Sequence, residues 1–113
     1  ALDINGNAYI VGTTANAFFP TLNASQAIYG GGASDAFLVK LNNTGTGVGF
    51  ATFLGGSGSD FGHGVAVDPT GNVYIAGTTA SVNLPTTVGA FQFAAPPNLN
   101  GFVAKYNNAG VKQ

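Results

Sequence analysis

The sequence predicts an all-β chain made of two copies of one antiparallel meander. Three observations carry this prediction. "LDINGNAYIVGTTA" at residues 2–15 returns as "VDPTGNVYIAGTTA" at 67–80, the apolar residues come in short runs bounded by Gly, Asn and Pro, and no stretch sustains a helical period. With 18 glycines in 113 residues, a long helix would carry a heavy propensity penalty.

At an offset of 65 the chain aligns on itself without a gap from Ala1/Ala66 to Gly45/Gly110. Tyr9/Tyr74, Ile10/Ile75, Phe37/Phe102, Lys40/Lys105 and Asn42/Asn107 are identical pairs. A fixed period of this kind describes stacked units, none of which can bury its own faces alone.

Four strands are expected per unit, each rich in Val, Ile, Phe, Tyr or Thr. They are "GVAVD" at 64–68, "NVYIAGTT" at 72–79, "GFVAKYN" at 101–107 and, from the preceding unit, "GFATFLGG" at 49–56. The first two are joined by "DPTGN", in which Asp68 can bond free turn amides, Gly71 accepts positive φ, and Asn72 closes the motif. Asp3, Gly6 and Asn7 of "DINGN" do the same in the first copy. A four-stranded meander repeated in tandem is a propeller blade. Val73 and Ile75 on one strand face and Tyr74 and Ala76 on the other fit a blade sandwiched between neighbours.

Charge narrows the function classes. Three lysines and four aspartates give a net charge of −1, with no clustered cations to meet nucleic acid or an anionic bilayer. No apolar run approaches the roughly 18 residues that signal a membrane helix. The absence of cysteine removes disulfide and thiol chemistry.

The stretches "FATFLGGSGSDFGHGVAVDPTGNVYIAGTT", "LPTTVGAFQ" and "DAFLVKLNNTG" resemble the SBBP β-propeller repeat, tandem blades of secreted or surface-attached bacterial proteins, and "GVAVDPTGNVYIAG" is also similar to the NHL-type blade. The resemblance implies an extracellular or cell-surface setting, with "GVAVD" innermost and "GFATFLGG" outermost. On that order residues 1–56 form a first blade, and 57–113 a second that lacks its outermost strand. Two blades cannot close a ring of about four to eight. The chain is therefore expected to be a segment of a longer propeller, cut at a blade boundary, or a self-assembling protomer. Its partners would be further blades in cis or identical chains in trans.

Candidate chemistry is sparse. "GGSGSD" at 55–60 opens like the calcium nonapeptide G-G-x-G-x-D-x-U-x, but Gly62 stands where a large aliphatic is required, so a glycine-rich connection without cofactor is expected, with calcium the weaker alternative. Asp60 and His63 share that connection; a hydrolytic or lyase site would need a placed nucleophile beside them, and no G-x-S-x-G accompanies them. Asp3 with Lys40, and Asp68 with Lys105, recur at one spacing and are expected to be structural. The long connections at 15–35 and 80–100 carry Tyr29, Phe91 and Phe93 and differ between copies. With Asp60 and His63 these aromatics form the expected binding face. The leading expectation is a non-enzymatic scaffold or adhesion module contacting surface proteins. A carbohydrate-binding propeller is the alternative, and a lyase or hydrolase a third.

Overall fold

The computed structural model describes residues 1–84 and 100–113, and among them there is no helix. Two antiparallel three-stranded sheets account for the architecture. The first is ordered β1 (Ala8–Thr14), β2 (Asp35–Leu41), β3 (Val48–Leu54); the second is ordered β4 (Asp60–Val67), β5 (Val73–Thr79), β6 (Asn100–Tyr106).

The first sheet thus has three strands where four were expected, its innermost strand being reduced to one bridge, and the second, expected without its outermost strand, also has three. Among the described residues a single bridge, Leu2 to Ala8, lies beside β1, and a single bridge, Lys112 to Tyr106, lies beside β6. The first sheet contains the outer member of the meander, and the second the inner one. Leu2↔Ala8 falls at the position that Val67↔Val73 occupies in the second copy.

Strand pairing places Tyr9 opposite Lys40 and Lys40 opposite Phe50, then Val11, Leu38 and Thr52 in the next row. In the second sheet Val67, Val73 and Tyr106 form one row, and Val65, Ile75 and Ala104 the next. These two faces meet. Tyr9, Ala36, Leu38, Phe50 and Leu54 from the first sheet and Val73, Ile75 and Tyr106 from the second form one buried cluster, with Val11, Val65, Val67 and Ala104 packed on it. Removing that apolar area from water is the main stabilising term.

The packing is head to tail. By the 65-residue offset, Tyr9 corresponds to Tyr74, yet the Tyr9 face of the first sheet packs on the Val73 face of the second, which is its opposite side. The Tyr74 face of the second sheet and the Ile10 face of the first are left on opposite outer sides of the stack.

The edge of β3 is covered by the connection before β2. Leu22 exchanges backbone hydrogen bonds with Ala51 (3.0 and 2.9 Å), and the Phe53 amide donates to the Gln26 carbonyl (3.1 Å). Phe19 stacks on Phe37 at 4.6 Å, which folds the connection back over the far end of the sheet. Pairing of this kind blunts an edge that would otherwise template aggregation.

Candidate functional site

The two Asp-x-x-Gly-Asn turns are built alike. Asp68 accepts hydrogen bonds from the Thr70 and Asn72 amides, the Thr70 hydroxyl, the Asn72 side-chain amide and the Tyr74 hydroxyl. Asp3 accepts from the Asn5 and Asn7 amides, the Asn7 side chain and the Tyr9 hydroxyl. Gly6 and Gly71 supply the positive φ (83° and 88°) that closes each turn. Asn7 and Asn72, donating twice each, hold both carboxyls below the usual carboxylate range, with the other turn donors adding to the effect.

Lys40 and Lys105 do not pair with these aspartates. Each ammonium instead lies over a tyrosine ring, Lys40 at 5.4 Å from the Tyr9 centroid and Lys105 at 5.7 Å from that of Tyr74. The recurring unit is therefore Asp–Tyr–Lys, with tyrosine in the middle, its hydroxyl donating to one charge and its ring facing the other. Lys40 also donates to the carbonyl of Asn108, in the turn after β6, at 3.1 Å, which ties the first sheet to the second unit.

Asp60 and His63 lie within β4 and not in a loop. The strand continues upstream of "GVAVD" through an irregularity between Gly62 and Gly64, where His63 is the extra residue. The Asp60 carboxylate is fully buried. It accepts from the Thr79 hydroxyl, the Ser81 hydroxyl (2.8 and 2.9 Å to its two oxygens) and the Gly56 amide (2.9 Å), so it ties the Gly55–Asp60 connection to the end of β5. His63 is exposed, shares a hydrogen bond with the Thr78 hydroxyl at 3.1 Å and stacks near Phe61. No hydrogen bond joins it to Asp60.

Tyr29 packs edge-on to Phe53 at 5.7 Å, and its hydroxyl donates to the Gly32 carbonyl. Around it, Gly30 and Gly32 press on the backbone of Gly55, Gly56 and Gly58 so closely that a Cβ at either would sit within about 2.6 Å of a carbonyl oxygen. The 15–35 connection and the glycine-rich connection are thus brought together as one packed layer. Phe91 and Phe93 lie outside the described residues.

Two groups in this layer carry no signal in the sequence. Gln26 acts as a surrogate peptide, accepting from the Gly55 amide and donating to its carbonyl (both 3.1 Å). Asp35 is fully buried, accepts from the Gly30 amide at 2.7 Å through one oxygen, and has no hydrogen bond to the other among the described residues. Burial, reinforced by the Asp60 charge and opposed by the Gly30 amide, pushes its carboxyl up to about 6. Asp35 corresponds to Asn100 in the other copy, a pairing that identifies a short polar position but not its burial.

Among the described residues no group of three or more His, Asp, Cys or Glu side chains could hold a metal ion. Among the described residues no helix is long and apolar enough to cross a membrane. What the structure presents outward are two sheet faces bearing Ile10, Tyr74 and Val103.

The family model of the SBBP beta-propeller repeat matches residues 49–85, from β3 of the first sheet through β4 and β5 of the second. No curated protein matches the chain.

Proposed function

With an SBBP β-propeller repeat over residues 49–85, we propose that the chain is a non-enzymatic structural and interaction module of an extracellular or cell-surface bacterial protein. Its partners are further blades, in a longer chain or on identical chains, and surface proteins met through its connections. One observation carries this reading. The recurring aspartates of the turns direct their hydrogen-bonding capacity inward, to their own turns and tyrosines, whereas apolar sheet faces recur on the outside. An arrangement of that kind builds and repeats a scaffold.

The test is immunolabelling of intact bacteria that express the parent protein, before and after external protease. Labelling that protease removes supports the surface setting, and signal confined to the cytosol overturns it. A glycan array probed with the same chain separates the carbohydrate alternative. Binding that falls in Tyr29→Ala would transfer the function to sugar recognition.

A further inference from the structure

The segments "GGGASD" at 30–35 and "GGSGSD" at 55–60 end alike. Each closes on a fully buried aspartate that opens a strand and accepts from the amide of a preceding glycine, Gly30 at 2.7 Å and Gly56 at 2.9 Å. Their remaining surroundings differ. Asp60 is completed by the Thr79 and Ser81 hydroxyls, whereas Asp35 keeps one oxygen with no hydrogen bond among the described residues. Gln26 cannot supply the missing donor, because its two amide hydrogens go to the Ile28 and Gly55 carbonyls. A buried charge short of hydrogen bonds is costly, so this enclosure favours a carboxyl that holds its proton.

What encloses Asp35 is a strap, residues 26–32, laid over Gly55, Gly56 and Gly58. Its flanks are pinned. Leu22 pairs with Ala51 on one side, and on the other Ser34 accepts from the Asp60 amide at 2.9 Å and donates to its carbonyl at 3.2 Å. The middle is held by Gln26 on Gly55, by Tyr29 edge-on to Phe53 and by the Gly30 amide on Asp35 itself. Gly31 and Gly32, at φ of 118° and 68°, supply hinge freedom there.

We propose that the strap is a pH-operated clasp, seated on the glycine-rich connection while Asp35 is protonated and lifting from it when Asp35 ionises and takes up water. The titratable groups that face Asp35 are Tyr29 from the strap and Asp60 from β4; Thr14, opposite it on β1, and Ser34 and Gly55 bring none. Burial, opposed by the Gly30 amide and reinforced by the Asp60 charge, places the transition at about 6. The clasp is therefore closed below that pH and loosens as pH rises through it. Lifting uncovers Phe53 and frees Tyr29, so the shape of this connection follows pH whichever partner it meets.

Amide hydrogen exchange of the whole chain, read by NMR at pH 5 and pH 7.5 and expressed as protection factors, tests the proposal. The Gly30 and Gly55 amides, which bond across the contact to Asp35 and Gln26, are expected to lose about tenfold in protection at pH 7.5. There they should fall well below Ile75 in the middle of β5, the mark of a local opening. In Asp35→Asn their protection is expected to be the same at both pH values. The chemical shift of the Asp35 carboxyl carbon, followed in the wild type, should titrate with the same midpoint as the loss of protection.

Unchanged protection at Gly30 and Gly55 in the wild type overturns the clasp. Protection equal to that of Ile75 at pH 7.5 overturns it too, because strap and core would then open together. His63 is retained in Asp35→Asn, so a pH dependence that survives the substitution belongs to another group and sinks the role given to Asp35. Should that variant not fold, a carboxyl midpoint that differs from the exchange midpoint has the same force.

Discussion

Tyr9 and Tyr74 occupy one position of the repeat, each donating its hydroxyl to a turn aspartate and each lying beneath a lysine, yet Tyr9 is 1% exposed and Tyr74 36%. The same local chemistry is therefore assembled within a single sheet, from the turn and the lysine of the adjacent strand, without a second sheet. Burial is added by the neighbour. It pushes the Tyr9 hydroxyl up to about 12, with the Asp3 hydrogen bond and charge adding to the effect.

That difference predicts unequal costs for equivalent truncations. Leu38→Ala removes a fully buried side chain from between the sheets and is expected to cost about 2–5 kcal/mol, by lost transfer energy and the cavity left behind. Val103→Ala, at the matching exposed position, should stay within about 0.5 kcal/mol under conditions that keep the chain monomeric. Urea denaturation of the two variants measures both. Equal losses would show that the two sheets do not pack as described.

Asp35 makes stability depend on pH in an unusual direction. Its carboxyl titrates at about 6 in the folded chain against an ordinary value of 3.8, so protonation is favoured by folding. Its contribution is fully present below 3.8 and is lost as pH rises through about 6. The urea midpoint is expected to be higher at pH 4.5 than at pH 7.5. In Asp35→Asn that difference should shrink, with the midpoint at pH 7.5 rising. A midpoint that climbs steadily from pH 4.5 to 7.5 in the wild type would contradict the assignment.

The turn aspartates act in the opposite sense. Hydrogen bonds led by Asn7 and Asn72 lower the Asp3 and Asp68 carboxyls below 3.8 in the folded chain. Their contribution is present above 3.8 and is lost as pH falls below it, while both turns lose acceptors. With Asp35, this places the stability maximum at mildly acidic pH, between about 4 and 5. Asp68→Asn should flatten the acid limb, as followed by the urea midpoint from pH 5 to 2. An acid limb as steep as that of the wild type would sink the role given to the Asp68 carboxylate.

The repeat, its turns and most strand centres were legible because they are local: "NVYIAGTT" alternates, and "DPTGN" contains its own hydrogen-bond partners. The all-β blade architecture followed from them. The sequence alone puts Asp60 and His63 in a connection because β4 passes through Gly62 and Gly64, where no side chain marks the strand and an irregularity breaks the period of two. The first sheet has three strands and not the expected four because residues 1–3 pair with β1 through the Leu2–Ala8 bridge alone, a length that residue type does not encode. Burial of Asp35 and exposure of Val103 are set by which element lies opposite. Two equivalent positions with similar residues cannot reveal that difference in sequence.

Gly45 and Gly110 turn this contrast into a last prediction. Both have positive φ, 71° and 84°, and both close the hairpin turn after the third strand of the meander. A Cβ at Gly45 meets open space, so Gly45→Ala should cost only the left-handed backbone penalty of about 1–2 kcal/mol. A Cβ at Gly110 would lie 2.6 Å from the buried Phe50 ring, which cannot yield without disturbing its tilted contact with Tyr9. Gly110→Ala is expected to add at least another 1 kcal/mol of overpacking strain to the same penalty. Thermal unfolding of the two variants at matched pH decides it. Equal losses would mean that the 107–110 turn does not rest on Phe50, and the placement of the second sheet on the first would have to be redrawn.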